Sequence, residues 1–154
     1  MTVPLPSSST THEHQVVVGV DGSACSKTAL RWAVSQALLT RGGLEVIAAW
    51  QDPVTTGYSM GWMPGFTDAE DWAAITQSYL DEEVKLVVGE LGSPVGLQAR
   101  VVEGNPARVL LEAARTASLL VVGSRGHGTL AGVLLGSVSQ HCVQHATCPV
   151  VVVH

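Results

Sequence analysis

The chain has 154 residues, of which 46% are apolar, 14% charged and only 5% aromatic, with a formal net charge of −5. These values describe one domain with a core of Val, Leu, Ala and Ile, and the shortage of charge points to apolar surface covered by a partner such as a second copy. The acidic balance argues against a nucleic-acid or anionic-membrane binder, both of which need a basic face, and no apolar run approaches the ~20 residues of a spanning helix.

Residues 1–14, MTVPLPSSSTTHEH, contain no Lys or Arg and no continuous apolar stretch. They read as a disordered arm rather than a signal peptide, leaving one domain over 15–154. A strand-like run opens it at 15–20, and Ser23 or Ser26 can cap a helix reaching about Thr40. Leu30, Ala33, Val34, Ala37 and Leu38 make the apolar stripe of that helix, and Gly42-Gly43 stops it. A second strand follows from Leu44 to Trp50. The stretch 51–66 reads as a long loop, since Gly57, Gly61, Pro64 and Gly65 follow Pro53. Loops of this length are usually functional or mobile.

A long helix is expected from Thr67 or Asp68, with Ala73, Thr76, Leu80, Val84, Val87 and Leu91 at helical spacing. Seven acidic residues lie between Asp68 and Glu90 against Lys85 alone, better explained as a solvated helix face than as an acidic docking surface. Pro94 introduces a third strand running through Val102. Asn105 and Pro106 then provide the cap and first position of another helix, with Val109, Leu110, Ala113 and Ala114 inward. A short buried strand at 119–122, a helix at about 137–145 and a last strand at 149–153 complete the chain. Continuous apolar strands alternating with helices are the signature of a doubly wound α/β fold whose parallel sheet is covered on both faces. Cys25, Cys142 and Cys148 form no CxxC and no zinc spacing, so core or chance placement explains each, and an odd number of thiols fits a reducing cytoplasm.

Five glycines fall within the fourteen residues 123–136, directly after the fourth strand. Glycine permits positive φ and lets a ligand approach bare N–H groups, while the helix start at Gly136-Ser137 adds free donors and the positive end of a dipole. Such a segment suits a polyphosphate; a tight β-to-α connection would also use small residues. Charge favours the first reading, because no Asp or Glu follows Glu112 whereas Arg115 and Arg125 remain. The P-loop pattern is absent. Residues 126–131 match a loose G-x-G-x-x-A, but no acidic residue lies some twenty positions on to hold a ribose, which argues against NAD.

A second constellation, Gly19-Val20-Asp21-Gly22-Ser23, ends the first strand. If that strand neighbours the fourth, Asp21 and the glycine segment share one crevice beyond the carboxyl ends of the strands. There the carboxylate can accept from ribose hydroxyls or an adenine amino group. As a turn or capping residue it is explained nearly as well.

At this point the chain resembles the universal stress proteins, in their ATP-binding branch. The pattern G-x-x-G, nine residues, G-[ST] stands intact as Gly123-Ser124-Arg125-Gly126, His127 to Leu135, and Gly136-Ser137. VVVGVDGS at 16–23, VVEGNPARVLLEAA at 101–114 and CPVVVV at 148–153 extend the likeness over nearly the whole ordered chain, and Ser-Arg-Gly-His-Gly is similar to actinobacterial members. The resemblance implies a Rossmann-like sheet of the adenine nucleotide alpha hydrolase type, with strand order 3-2-1-4-5. It implies that Gly19, Val20 and Asp21 line the adenosine side with Ala49 beside the adenine. It further implies that Val122, Gly123, Arg125, Gly126, Gly136, Ser137 and Val138 close around ribose and phosphates. A magnesium or manganese ion would bridge the phosphate oxygens of ATP. A homodimer would form by antiparallel pairing of the last strand, Val150 to Val153, whose apolar edge would be an aggregation hazard if left bare.

These features describe a nucleotide-dependent regulator of a stress response. A slow ATPase or self-phosphorylating enzyme is the alternative, with only His127 and Arg125 as loop candidates and no base paired to an orienting carboxylate, so no catalytic residue is assigned. A cyclic AMP binder using the same pocket is another. Tyr58, Trp62 and Met63 in the 51–66 loop make a lid or a plain surface loop.

Overall fold

A computed structural model describes residues 14–51, 69–127 and 131–154, with only the backbone for 69–71. The expected arm, except His14, and the 51–66 loop, except Gln51, lie outside the described residues, as do Gly128, Thr129 and Leu130. The elements run β1 (Val16–Gly19), α1 (Ala24–Thr40), β2 (Leu44–Trp50), α2 (Ala69–Leu91), β3 (Gln98–Glu103), α3 (Pro106–Ala114), β4 (Leu119–Gly123), α4 (Ser137–His145) and β5 (Val150–Val153). The five strands form one sheet in the order β3-β2-β1-β4-β5, every neighbouring pair parallel.

Period-two alternation sends each strand's side chains to both faces. Val16, Val18, Val46, Ala48 and Val121 pack beneath α1 and α2, together with Leu30, Ala33 and Val34 of α1 and Leu80, Val84 and Val87 of α2. Val17, Ile47, Leu120 and Val122 face α3 and α4, against Leu110, Ala114 and Cys142. Both faces of the central strands are therefore covered, which is why β1, β4 and β5 read as unbroken apolar runs, whereas the edge strand β3 (QARVVE) carries exposed polar residues.

Local chemistry sets most boundaries. Ser23 caps α1, its hydroxyl accepting from the Ser26 amide at 3.2 Å, and Asn105 caps α3 by accepting from the Arg108 amide at 3.2 Å. The stop of α1 differs from expectation: Arg41, not a glycine, takes the left-handed conformation at φ 53°. β3 also starts later than expected. Pro94 offers no donor to a ladder and Gly96 turns the chain at φ 64°, so pairing begins at Gln98. Two acids of α2 are paired across to α1, Glu83 with Lys27 at 2.8 Å and Glu90 with Arg31 at 2.5 Å. The acidic run is thus in part a helix–helix seam. No described helix is long and apolar enough to cross a membrane.

Candidate functional site

The chain leaves β1 through α1 to β2 and β3 on one side, then crosses through α3 to β4 and β5 on the other. Strand order reverses beside β1, and parallel sheets open a crevice at such a point, beyond the carboxyl ends of the strands. A cavity of about 250 Å³ lies there, and all eleven residues singled out in the sequence line it. Gly19, Val20 and Asp21 come from the end of β1, Ala49 from β2, Val122, Gly123, Arg125 and Gly126 from β4 and its loop, and Gly136, Ser137 and Val138 from the start of α4.

Two sides of the crevice differ chemically. Ile47 and Ala49 of β2 with Pro106 and Leu110 of α3 make an apolar wall. Gly19 allows it to form, since a Cβ there would lie 2.6 Å from the Leu110 Cδ1. Opposite stands the amino end of α4. Its cap residue, Gly136 (φ −70°, ψ 166°), has no side chain to bond the first-turn amides, so the donors of Ser137, Val138 and Ser139 are left for another acceptor. The exposed Arg125 and His127 also line this region.

The glycine loop is pinned at its base. The Ser124 carbonyl accepts from the Gly136 amide at 2.7 Å and from the buried Ser139 hydroxyl at 3.0 Å, and that hydroxyl also lies 2.9 Å from the Gly136 carbonyl. Ser124 and Ser139 escaped the sequence reading. The available signal was a hydroxyl three residues past Gly136, where a first-turn Ser can bond back to the cap. Ile47, Pro106 and Leu110 escaped it too, although Ile47 shares the strand face of Ala49.

Asp21 proves to be a joint between the two loops. Its Oδ1 accepts from the Ser23 amide at 2.9 Å and the Ser23 hydroxyl at 2.5 Å, while Oδ2 accepts from the His127 amide at 3.3 Å. Partial burial alone would raise this carboxyl. The bonds from Ser23, Ser26 and the His127 amide outweigh that effect and hold it below the usual carboxylate range. The turn-forming role therefore has direct geometric support.

One expectation about the glycines needs correcting. Of the residues described in the segment 123–136, only Gly132 has positive φ; Gly123, Gly126 and Gly136 do not. Their value is close approach. A Cβ on Gly123 would lie 2.8 Å from the Cys25 carbonyl carbon and 2.9 Å from the Ser26 nitrogen, and one on Gly126 would collide with the Asp21 carboxylate. Bare backbone lets the glycine loop lie directly on the start of α1.

The family model described as "Universal stress protein family" matches residues 13–154. The chain belongs to that family. A universal stress protein of Mycobacterium tuberculosis is 34% identical over 151 residues, covering 90% of this chain and 47% of the relative. One from Mycolicibacterium smegmatis is 36% identical over 148 residues, covering 92% and 48%. The chain thus spans about half the length of these curated relatives. Among solved universal stress proteins, UspA of Lactobacillus plantarum superposes with a TM-score of 0.73 at 20% identity, over 93% of this chain and 99% of that one. Another, solved in complex with cAMP, gives 0.67 at 29% identity, over 93% and 98%.

Proposed function

We propose that this universal stress protein is an ATP-binding regulator of a stress response, with adenosine against the apolar wall and phosphates at the amino end of α4. One observation carries the reading: a single crevice joins an apolar wall to an uncapped helix start, with Arg125 at its lining. Asp21 is the one lining carboxylate, so a single negative charge stands in the crevice beside Arg125.

Among the described residues no group of three or more His, Cys, Asp or Glu could hold a metal ion. A magnesium or manganese ion would therefore arrive on the phosphate oxygens of the nucleotide, where it would neutralise their charge. The same reading places the protein in the cytoplasm, where Cys25, Cys142 and Cys148 would remain thiols.

Cyclic AMP is the second reading, favoured by the 29%-identical relative solved with that ligand. Mass spectrometry of nucleotide released from the purified protein, followed by calorimetric titration with Mg-ATP and competition by cyclic AMP, tests both. ATP is expected to bind and to resist displacement by an equal concentration of cyclic AMP. Displacement at equal concentration assigns the site to the cyclic nucleotide; no released nucleotide and no heat at millimolar ATP refutes the proposal. Phosphate release in a single turnover separates binding from slow hydrolysis, for which Arg125 and His127 are the cation and base candidates in the crevice.

The proposal includes a homodimer. β5 is an edge strand whose four valines are half-buried, and the carbonyls of Pro149 and Val153 accept from the amides of Leu120 in β4 and Ser124 just past it. Pairing alternates along a strand, so the amides of Val150 and Val152 face the open edge, free to bond a second β5. Val152→Pro should remove one such donor while sparing the ladder to β4, leaving a folded 16.1 kDa monomer by light scattering. A folded variant that stays dimeric would contradict this arrangement.

A further inference from the structure

We infer that His141 and His145 form a two-histidine chelate for a late first-row divalent ion (Ni²⁺, Cu²⁺ or Zn²⁺) on the exposed side of α4. The two residues are one helical turn apart, the i, i+4 spacing that places imidazoles on one face and that helical zinc sites use. Their rings stack with centroids 4.4 Å apart and planes inclined by 25°. Metal–nitrogen bonds of about 2.0–2.1 Å put two nitrogens on one ion roughly 3–4 Å apart, a span that two rings 4.4 Å apart can meet once the exposed His141 ring turns out of the stack toward the ion.

The hydrogen bonding already selects the ligand form of one ring. His145 Nδ1 lies 3.0 Å from the carbonyl oxygen of His141. A carbonyl only accepts, so Nδ1 carries the proton and donates. Nε2 of the neutral ring is left with its lone pair for a metal. Donation of the other ring N–H to a backbone carbonyl is also the usual support behind a metal-bound histidine, fixing tautomer and orientation together.

The setting decides which ion. His145 stands in the last turn of α4, where the carbonyl end of the helix dipole favours positive charge. No Asp or Glu occurs in the chain after Glu112. A hard, oxygen-seeking ion such as Mg²⁺ or Ca²⁺ therefore finds no carboxylate from this helix, whereas an imidazole pair suits Ni²⁺, Cu²⁺ and Zn²⁺. Among the described residues no third His, Cys, Asp or Glu joins the pair, so water fills the remaining positions and the site is exchangeable rather than structural. It sits on the carboxyl half of α4, away from the helix start that lines the nucleotide crevice.

NiCl₂ titration of the full chain tests the inference, because paramagnetic Ni²⁺ broadens the signals of the rings it touches. Substoichiometric Ni²⁺ should broaden the imidazole resonances of His141 and His145 together, ahead of His12, His14, His127 and His154. By calorimetry, His141→Ala and His145→Ala should each weaken Ni²⁺ binding at least about tenfold, and the double variant no further than the worse single one, since either loss removes the chelate. Gln144→Ala, on a neighbouring exposed position, should change nothing. All these side chains are exposed, so the variants should keep the fold, which circular dichroism checks. Small, additive losses would reveal two independent single-histidine contacts and overturn the chelate. So would first binding at the thiols of Cys25 or Cys148, visible as nickel–thiolate absorbance.

Discussion

Gly123→Ala should disrupt this protein more than Gly126→Ala, because the methyl on Gly126 meets a side-chain carboxylate that can move whereas the one on Gly123 meets backbone. The new Cβ would sit 2.8 Å from the carbonyl carbon of Cys25, 2.9 Å from the Ser26 nitrogen and 3.0 Å from the Cys25 Cβ. Two carbons sit comfortably at about 3.5 Å, so the methyl is some 0.7 Å too close. Two of these three atoms are backbone in the first turn of α1, whose cap is fixed by the Ser23 hydroxyl. Neither side can rotate away, and β4 must separate from α1. Overpacking of this kind costs about 1–3 kcal/mol. For a domain of this size each kcal/mol lowers Tm by about 2–4 °C, so a fall of roughly 2–12 °C is expected by calorimetric scanning. ATP affinity should fall with it, because the same movement opens the crevice. Gly89→Ala is the matched control. Nothing lies within 4 Å of a Cβ there, and the site is an exposed position inside α2, so helix propensity should raise stability by about 0.5–1 kcal/mol. If Gly123→Ala melts with the wild type and keeps its affinity, the close-approach argument is wrong.

Asp21→Asn should cost about 1–3 kcal/mol at pH 7, since its amide either faces the His127 N–H with a donor or gives up the Ser23 contacts. The folded-state carboxyl lies below its ordinary value, so its stabilisation is present above about pH 4 and lost as pH falls through the folded pKa. The gap between wild-type and variant urea midpoints should therefore narrow at pH 3, and a gap independent of pH refutes the assignment. Ser139→Ala should lower stability by about 1 kcal/mol through loss of the bond to the Ser124 carbonyl, read by denaturant unfolding; no change would mean the hydroxyl does not secure the loop. Burial, with the neighbouring Cys148 thiol, pushes the Cys142 thiol up to about 11. The native state then keeps a proton that the unfolded chain releases from about pH 9, so stability should decline between pH 9 and 11 and Cys142→Ala should flatten that decline. An identical slope in the variant would assign the alkaline loss elsewhere.

Much of the fold was legible because its signals are local. The runs at 16–19, 119–123 and 150–153 are apolar without interruption, and 44–50 is broken only by Glu45, the pattern that a sheet covered on both faces asks for. Asn105-Pro106 marks a helix start through the geometry of those two residues alone, while for α1 the sequence offers Ser23 or Ser26 and the structure selects Ser23. Where the reading slipped, a longer-range or competing effect intervened. Arg41 rather than a glycine adopts the left-handed conformation, its amide bonding the Ala37 and Leu38 carbonyls at the end of α1. The acidic face of α2 looked unopposed because Lys27 and Arg31 lie more than fifty residues away in sequence.

By itself, then, the sequence determined the element order, the parallel sheet and the late glycine segment as the place where backbone stands bare. Periodicity, capping and glycine content are properties of neighbouring residues, and neighbours are what a linear chain displays. Tertiary structure alone decided that these glycines serve contact rather than left-handed turns, that Asp21 ties two loops together, and that Ser124 and Ser139 anchor the base of the loop. Those facts depend on distances between segments about a hundred residues apart or on the path of a loop, and only the packed sheet sets them.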